Sequence, residues 1–133
     1  MKPSWLIACC LCLAAGSTGC RWDRPPSRLS DNVETIEVSY VNWACDCPDW
    51  IETKYSRDST EIDERQCIYV EPAQPAIAIT DSFYTTKHFS QTLRLSGRFY
   101  LDEGVPASYE QKTSGKSEPG KVFCYDKIEY IDR

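Results

Sequence analysis

The chain has 133 residues with 15 Lys plus Arg against 20 Asp plus Glu, a formal charge of −5, and it holds eight cysteines and one histidine. That length supports one domain of ordinary size, and an acidic chain with no concentrated basic stretch excludes a protein that grips nucleic acid through its phosphates. With His88 as the sole histidine, any Ser-His-Asp or Cys-His machinery must pass through it, and no G-x-S-x-G context or glycine-rich phosphate loop stands in the sequence.

Lys2 is followed by residues 6–15, LIACCLCLAA, a run without charge, and then by small residues. This is the three-part pattern of a secretory signal peptide, and it is shorter than the roughly 20 apolar residues a membrane span needs. Gly16-Ser17-Thr18-Gly19-Cys20 then resembles the lipobox of bacterial lipoproteins, with Ser17 where leucine is commonest. The resemblance implies removal of residues 1–19, acylation of Cys20 as the new N-terminus, and an exported protein anchored by lipid on the periplasmic or cell-surface side. Several acyl chains on one residue anchor firmly, where a single chain binds marginally. Cleavage would take away Lys2 and no acid, leaving 14 bases against 20 acids, a charge of −6. Residues 20–32 are polar, contain Pro25 and Pro26 and lack apolar periodicity. They read as a flexible tether, with a single β-rich domain over residues 33–133.

Within that domain, residues 33–46 predict a strand, since Ile36, Val38 and Tyr40 alternate with Glu37, Ser39 and Val41. The unusual segment Trp43-Ala44-Cys45-Asp46-Cys47-Pro48-Asp49-Trp50 follows. Its functional reading makes Trp43 and Trp50 a platform for a sugar ring or peptide, with Asp46 or Asp49 accepting hydrogen bonds. Its bland reading packs both tryptophans into the core or its rim, because aromatics bury large areas. Residues 50–55 can continue as a paired strand, 56–65 read as a solvated loop, and 67–71 as a short strand closed by Pro72. Residues 72–88 carry a weaker pattern, compatible with a short helix tolerating Pro75 in its first turn or with a further strand.

Residues 89–101, FSQTLRLSGRFYL, alternate apolar and polar positions and predict a long half-buried strand, with Gly97 marking a bulge or bend. Residues 102–120 hold three glycines and two prolines and read as a long loop; 121–131, KVFCYDKIEYI, predict the last strand. This order matches a small five-stranded OB-like barrel, all-β with one short helix, and a small β-sandwich is the alternative. Over residues 93–131 the pattern resembles the OB-fold-like domains of small bacterial lipoproteins, and barrel closure would remove exposed strand edges.

Four cysteines follow the signal run and Cys20: Cys45, Cys47, Cys67 and Cys124. In an exported domain they predict two disulfides, one from the Cys45-x-Cys47 pair to Cys67 and one to Cys124. Each would stabilise by about 3 to 4.5 kcal/mol on the chain-entropy model, and bridging Cys45 to Cys47 is the least favoured pairing geometrically. Zinc held by the four thiolates, with or without His88, lacks the usual two close pairs. A redox-active Cys-x-Cys is the third reading. No metal or cofactor is called for. The functional expectation is a non-enzymatic envelope module, lipid-anchored through Cys20, that binds or assembles an envelope protein, peptide or glycan. The alternative is a hydrolase using paired carboxylates drawn from Asp46, Asp49, Glu52 or the acids of residues 58–64.

Overall fold

Alternating side chains on two long strands set the architecture, seen in a computed structural model that describes residues 24–57 and 60–133. The signal run and Cys20 lie outside the described residues. In chain order the elements are β1 (Glu34–Tyr40), β2 (Trp50–Glu52), α1 (Thr53–Ser56), β3 (Tyr69–Pro72), α2 (Asp81–Thr85), β4 (Gln91–Phe99) and β5 (Val122–Asp132). Among the described residues the strands form one sheet in the order β2-β1-β4-β5-β3. Every pairing is antiparallel except β3 with β5. The sheet curls into a half-barrel whose edges, β2 and the start of β3, touch at one bridge where Trp50 and Ile68 exchange hydrogen bonds of 3.1 and 2.8 Å. With α2 between the third and fourth strands, this is the small all-β, OB-like architecture, and a single sheet takes the place of the two a sandwich would need.

The period-two reading of residues 89–101 holds over β4, where Leu93 and Leu95 are fully buried. They join Ile36, Val38, Trp50, Ile68, Phe83, Phe123 and Tyr125 in one core. The bulge expected at Gly97 is present as a register shift against β5 between Ser96 and Gly97. A Cβ there would meet the Cys124 carbonyl oxygen and stand 2.7 Å from the Cα of Tyr125, so only glycine lets the two backbones approach this closely. β1 stops six residues before the sequence pattern ends, because Asn42 takes a positive φ of 56° that turns the chain. α2 is too short to stand alone; fully buried Phe83, stacked on Trp50 with ring centroids 5.8 Å apart, holds it over one end of the barrel.

The described part of the expected tether departs from that reading. Ser30 N–H donates to the Phe99 carbonyl at 2.8 Å, Leu101 N–H donates to Arg28 at 2.7 Å, and Leu29 bridges Tyr100. The Asp102 carboxylate accepts from the backbone of Ser27 and Arg28. Pro26 is buried beside Gly104, where a Cβ would collide with Arg24 and Pro26. Beyond Gly97, where pairing with β1 ends, that edge of the chain takes up this proline-stiffened arm, while Tyr100 N–H still donates to Val122 of β5 at 3.0 Å on the other side. The folded unit therefore takes in residues that the sequence pattern placed in the tether, among them Arg24, Ser27, Arg28, Leu29 and Ser30.

Candidate functional site

The loop joining β4 to β5 spans residues 100–121. Its base is closed by Gly104 and Gly120, which exchange two 3.0 Å hydrogen bonds, and its inner face packs Val105 and Tyr109 against Tyr69 and Val122. From there it reaches across to the β1–β2 loop, residues 41–49, and the two are bonded to one another. Asp46, 3% exposed, is the hub. Its carboxylate accepts from the Lys112 amide at 2.5 Å, the Thr113 amide at 2.9 Å, the Tyr109 hydroxyl at 3.2 Å and the Thr113 hydroxyl. Its carbonyl accepts from Glu118 N–H at 2.7 Å. Burial pushes the Asp46 pKa up, but the donors from Thr113, Lys112 and Tyr109 outweigh it and hold the carboxyl below its ordinary value.

Asp49, 5% exposed, pairs with Lys112 Nζ at 2.8 Å, and the same ammonium reaches the Trp43 carbonyl at 3.2 Å. Burial raises the Asp49 pKa and Lys112 offsets that only in part; burial pulls Lys112 down, and its bond to Asp49 more than restores it. Lys112 also stands 5.7 Å from the centre of the Tyr40 ring, which touches Tyr84 edge-on at 5.3 Å and His88 at 5.5 Å. The loop brace thus continues into an aromatic layer at the α2 end of the barrel.

Of the four candidate binding residues, Asp46 and Asp49 come together around Lys112, while the tryptophans do not form a shared platform. Trp50 is 3% exposed and sits in the core between Tyr40 and Phe83. Trp43 is half-buried, and its indole N–H is buried without a hydrogen-bond acceptor. Glu52 is tied to Lys54 at 2.7 Å. His88 serves packing: Nδ1 lies 3.2 Å from the Phe83 carbonyl and its ring lies 3.9 Å from Phe89.

The expected cysteine pairing is corrected. Cys45 and Cys47 are joined to each other, and Cys67 and Cys124 are free thiols. Asp46, pinned between them, turns the chain so that their Cα atoms stand 5.4 Å apart, inside bridging range. Cys67 is buried beside Trp43 and Asp49 of that loop, and Cys124, on β5, lies beside Tyr100 and Glu71. No group of three or more His, Cys, Asp or Glu residues is placed to hold a metal ion among the described residues.

Two features had no sequence signal of their own. Lys112, Thr113 and Tyr109 lie in a loop without periodicity, and only the fold brings them to Asp46. A cleft of about 590 Å³ separates the end of β4 and the docked arm from α1, with Glu34, Tyr55, Arg65, Leu101, Glu103 and Lys121 among its walls. No helix among the described residues is long and apolar enough to cross a membrane. The chain matches no protein-family model, no curated protein and no solved structure.

Proposed function

We propose that this chain is an exported lipoprotein, cut before Cys20 and held to a membrane through it, whose domain is a non-enzymatic binding or assembly module of the cell envelope. The observation that carries the binding reading is the brace between the two loops. Both acids of the tryptophan-flanked segment hold loop backbone or Lys112, so they fix a surface in place. A hydrolytic carboxyl needs room for a substrate oxygen and a proton to transfer, and Asp46 is already filled by four donors. The export reading rests on the apolar run of residues 6–15 and the small residues leading to Cys20.

The full chain expressed in a bacterial host with a radiolabelled fatty acid tests the anchor. Label on the wild type, absent from Cys20→Ala, together with membrane retention of the first and release of the second, is the expected result; equal labelling or equal retention would overturn it. Turnover of envelope polymers by the purified chain, lost in Asp49→Asn, would replace the binding reading with a hydrolytic one.

A further inference from the structure

The bridge of the β1–β2 loop joins the two cysteines whose union fastens least. Cys45 and Cys47 have one residue between them, so closing their ring removes little chain entropy, while pairing either with Cys67 or Cys124 would close a far longer loop. Those two thiols are nonetheless free. Nor does the bridge hold its own turn unaided. The carboxylate of Asp46, between the two cysteines, accepts from Tyr109, Lys112 and Thr113, and its carbonyl accepts from Glu118 N–H at 2.7 Å. With the turn fixed from outside, the bond between the sulfurs can open without releasing the loop.

The two cysteines differ in access. Cys45 is exposed, as are Asn42 and Ala44 before it, whereas Cys47 is 6% exposed and lies between buried Asp46 and Asp49. A thiolate attacks a disulfide at the sulfur it can reach, and the other sulfur leaves. An incoming thiolate therefore meets Cys45, and Cys47 is the leaving group. After the bond opens, the brace on Asp46 keeps the two Cα atoms near their 5.4 Å separation. Cys47 then stands ready to attack the mixed disulfide on Cys45 and expel the newcomer, with the advantage of an intramolecular reaction. A lone thiol is thus turned back. A newcomer with a second thiol close to its first can compete with Cys47 and complete the exchange.

We propose that Cys45 and Cys47 form a thiol–disulfide exchange site whose substrate is a dithiol. In the first step one substrate thiol gives up its proton to water and its thiolate bonds to Cys45 Sγ. The Cys45–Cys47 bond breaks, and Cys47 leaves as a thiolate that takes up a proton. In the second step the other substrate thiolate bonds to the substrate sulfur of the mixed disulfide, and Cys45 leaves and is protonated. The substrate's two thiols are oxidised to one disulfide, and one disulfide of this chain is reduced to two thiols. This goes beyond the binding-module reading and depends on neither the tether nor an envelope partner.

The test treats the detergent-solubilised, folded chain with a reduced two-cysteine peptide, with dihydrolipoic acid as a small dithiol, and with glutathione as a single thiol. Acid quenching, alkylation and peptide mapping then read each cysteine separately. A dithiol is expected to be oxidised one for one as Cys45 and Cys47 become alkylated, with the transient mixed disulfide on Cys45 and circular dichroism unchanged. The faster of the two dithiols names the source, polypeptide or small molecule. Glutathione at equal thiol concentration is expected to give less than about a tenth of the reduction. Cys67→Ser and Cys124→Ser are expected to exchange as the wild type does. Asp46→Ala, which frees the turn, is expected to form the first mixed disulfide at the normal rate and to close the Cys45–Cys47 ring about tenfold more slowly. Exchange seen only in denaturant, a mixed disulfide on Cys47 or Cys67, equal reduction by glutathione, or loss of the fold on reduction would each overturn the proposal.

Discussion

The Asp46 carboxylate receives both the backbone N–H and the hydroxyl of Thr113, 67 residues further along the chain. One side chain thereby fastens a 22-residue connection to the loop after the first strand. Replacing Asp46 by Ala leaves the amides of Lys112 and Thr113 without their acceptor, and the loop should lift while the barrel persists. Trypsin should then cut after Lys112 and Lys116 about tenfold faster or more than in the wild type, since local opening sets proteolysis of a native loop. Equal cleavage rates by mass spectrometry would show that Asp46 does not hold the loop.

The same carboxylate gives a pH dependence with a defined sign. Its folded pKa lies below the ordinary 3.8 because donors from Thr113, Lys112 and Tyr109 outweigh burial. Its contribution is therefore present above that ordinary value and is lost as pH falls through the depressed one. Asp49 runs the other way: burial raises its pKa, so its contribution is greatest when protonated and declines as pH rises through the raised value. Asp46→Asn imitates the protonated acid. The difference in Tm between wild type and Asp46→Asn should be widest near pH 7 and shrink below pH 3.8; a difference that does not change with pH would contradict this assignment.

Alkylation separates the cysteines. Burial pushes both the Cys67 and Cys124 thiols up, the second with help from Glu71, so both should react slowly at neutral pH. Cys124 is half-buried and Cys67 is 5% exposed, so Cys124 should label first. Cys45 and Cys47 should label only after reduction. Mass spectrometry of unfolded, unreduced protein should show two alkylated positions in residues 45–124. Four would deny the Cys45–Cys47 bridge, and none would restore the two-disulfide pairing expected from the spacing.

Gly97→Ala tests the bulge. The new methyl group would press on the Cys124 carbonyl and the Tyr125 Cα, backbone atoms that cannot rotate away. A loss of about 3 kcal/mol or more in denaturant unfolding is expected, at the upper end of overpacking costs. A loss below about 1 kcal/mol would mean that the strands separate there easily.

What could be read in the sequence is what depends on near neighbours. The two faces of β4 follow from period two, the bulge from a lone glycine inside that pattern, and the long loop from its glycines and prolines. What could not be read depends on partners far along the chain. Residues 24–30 look like a tether because their polar side chains carry no pattern, and their bonding is through backbone offered by residues 99–102. Trp43 and Trp50 are alike in sequence; pairing of β2 with β1 drives one into the core and leaves the other at its rim. Asp46 could be singled out as unusual, yet its role as a clamp required Thr113 and Tyr109, which no local spacing announces.

β5 is the last of the five strands in sequence and lies between β4 and β3. A ribosome delivers it after everything it must join. Until then β3 has no strand beside it except for the single Trp50–Ile68 contact, and the apolar faces of Leu93 and Leu95 lack the cover of Phe123 and Tyr125. A growing chain of this topology cannot fold half at a time. Its core is complete only once that final strand is in place.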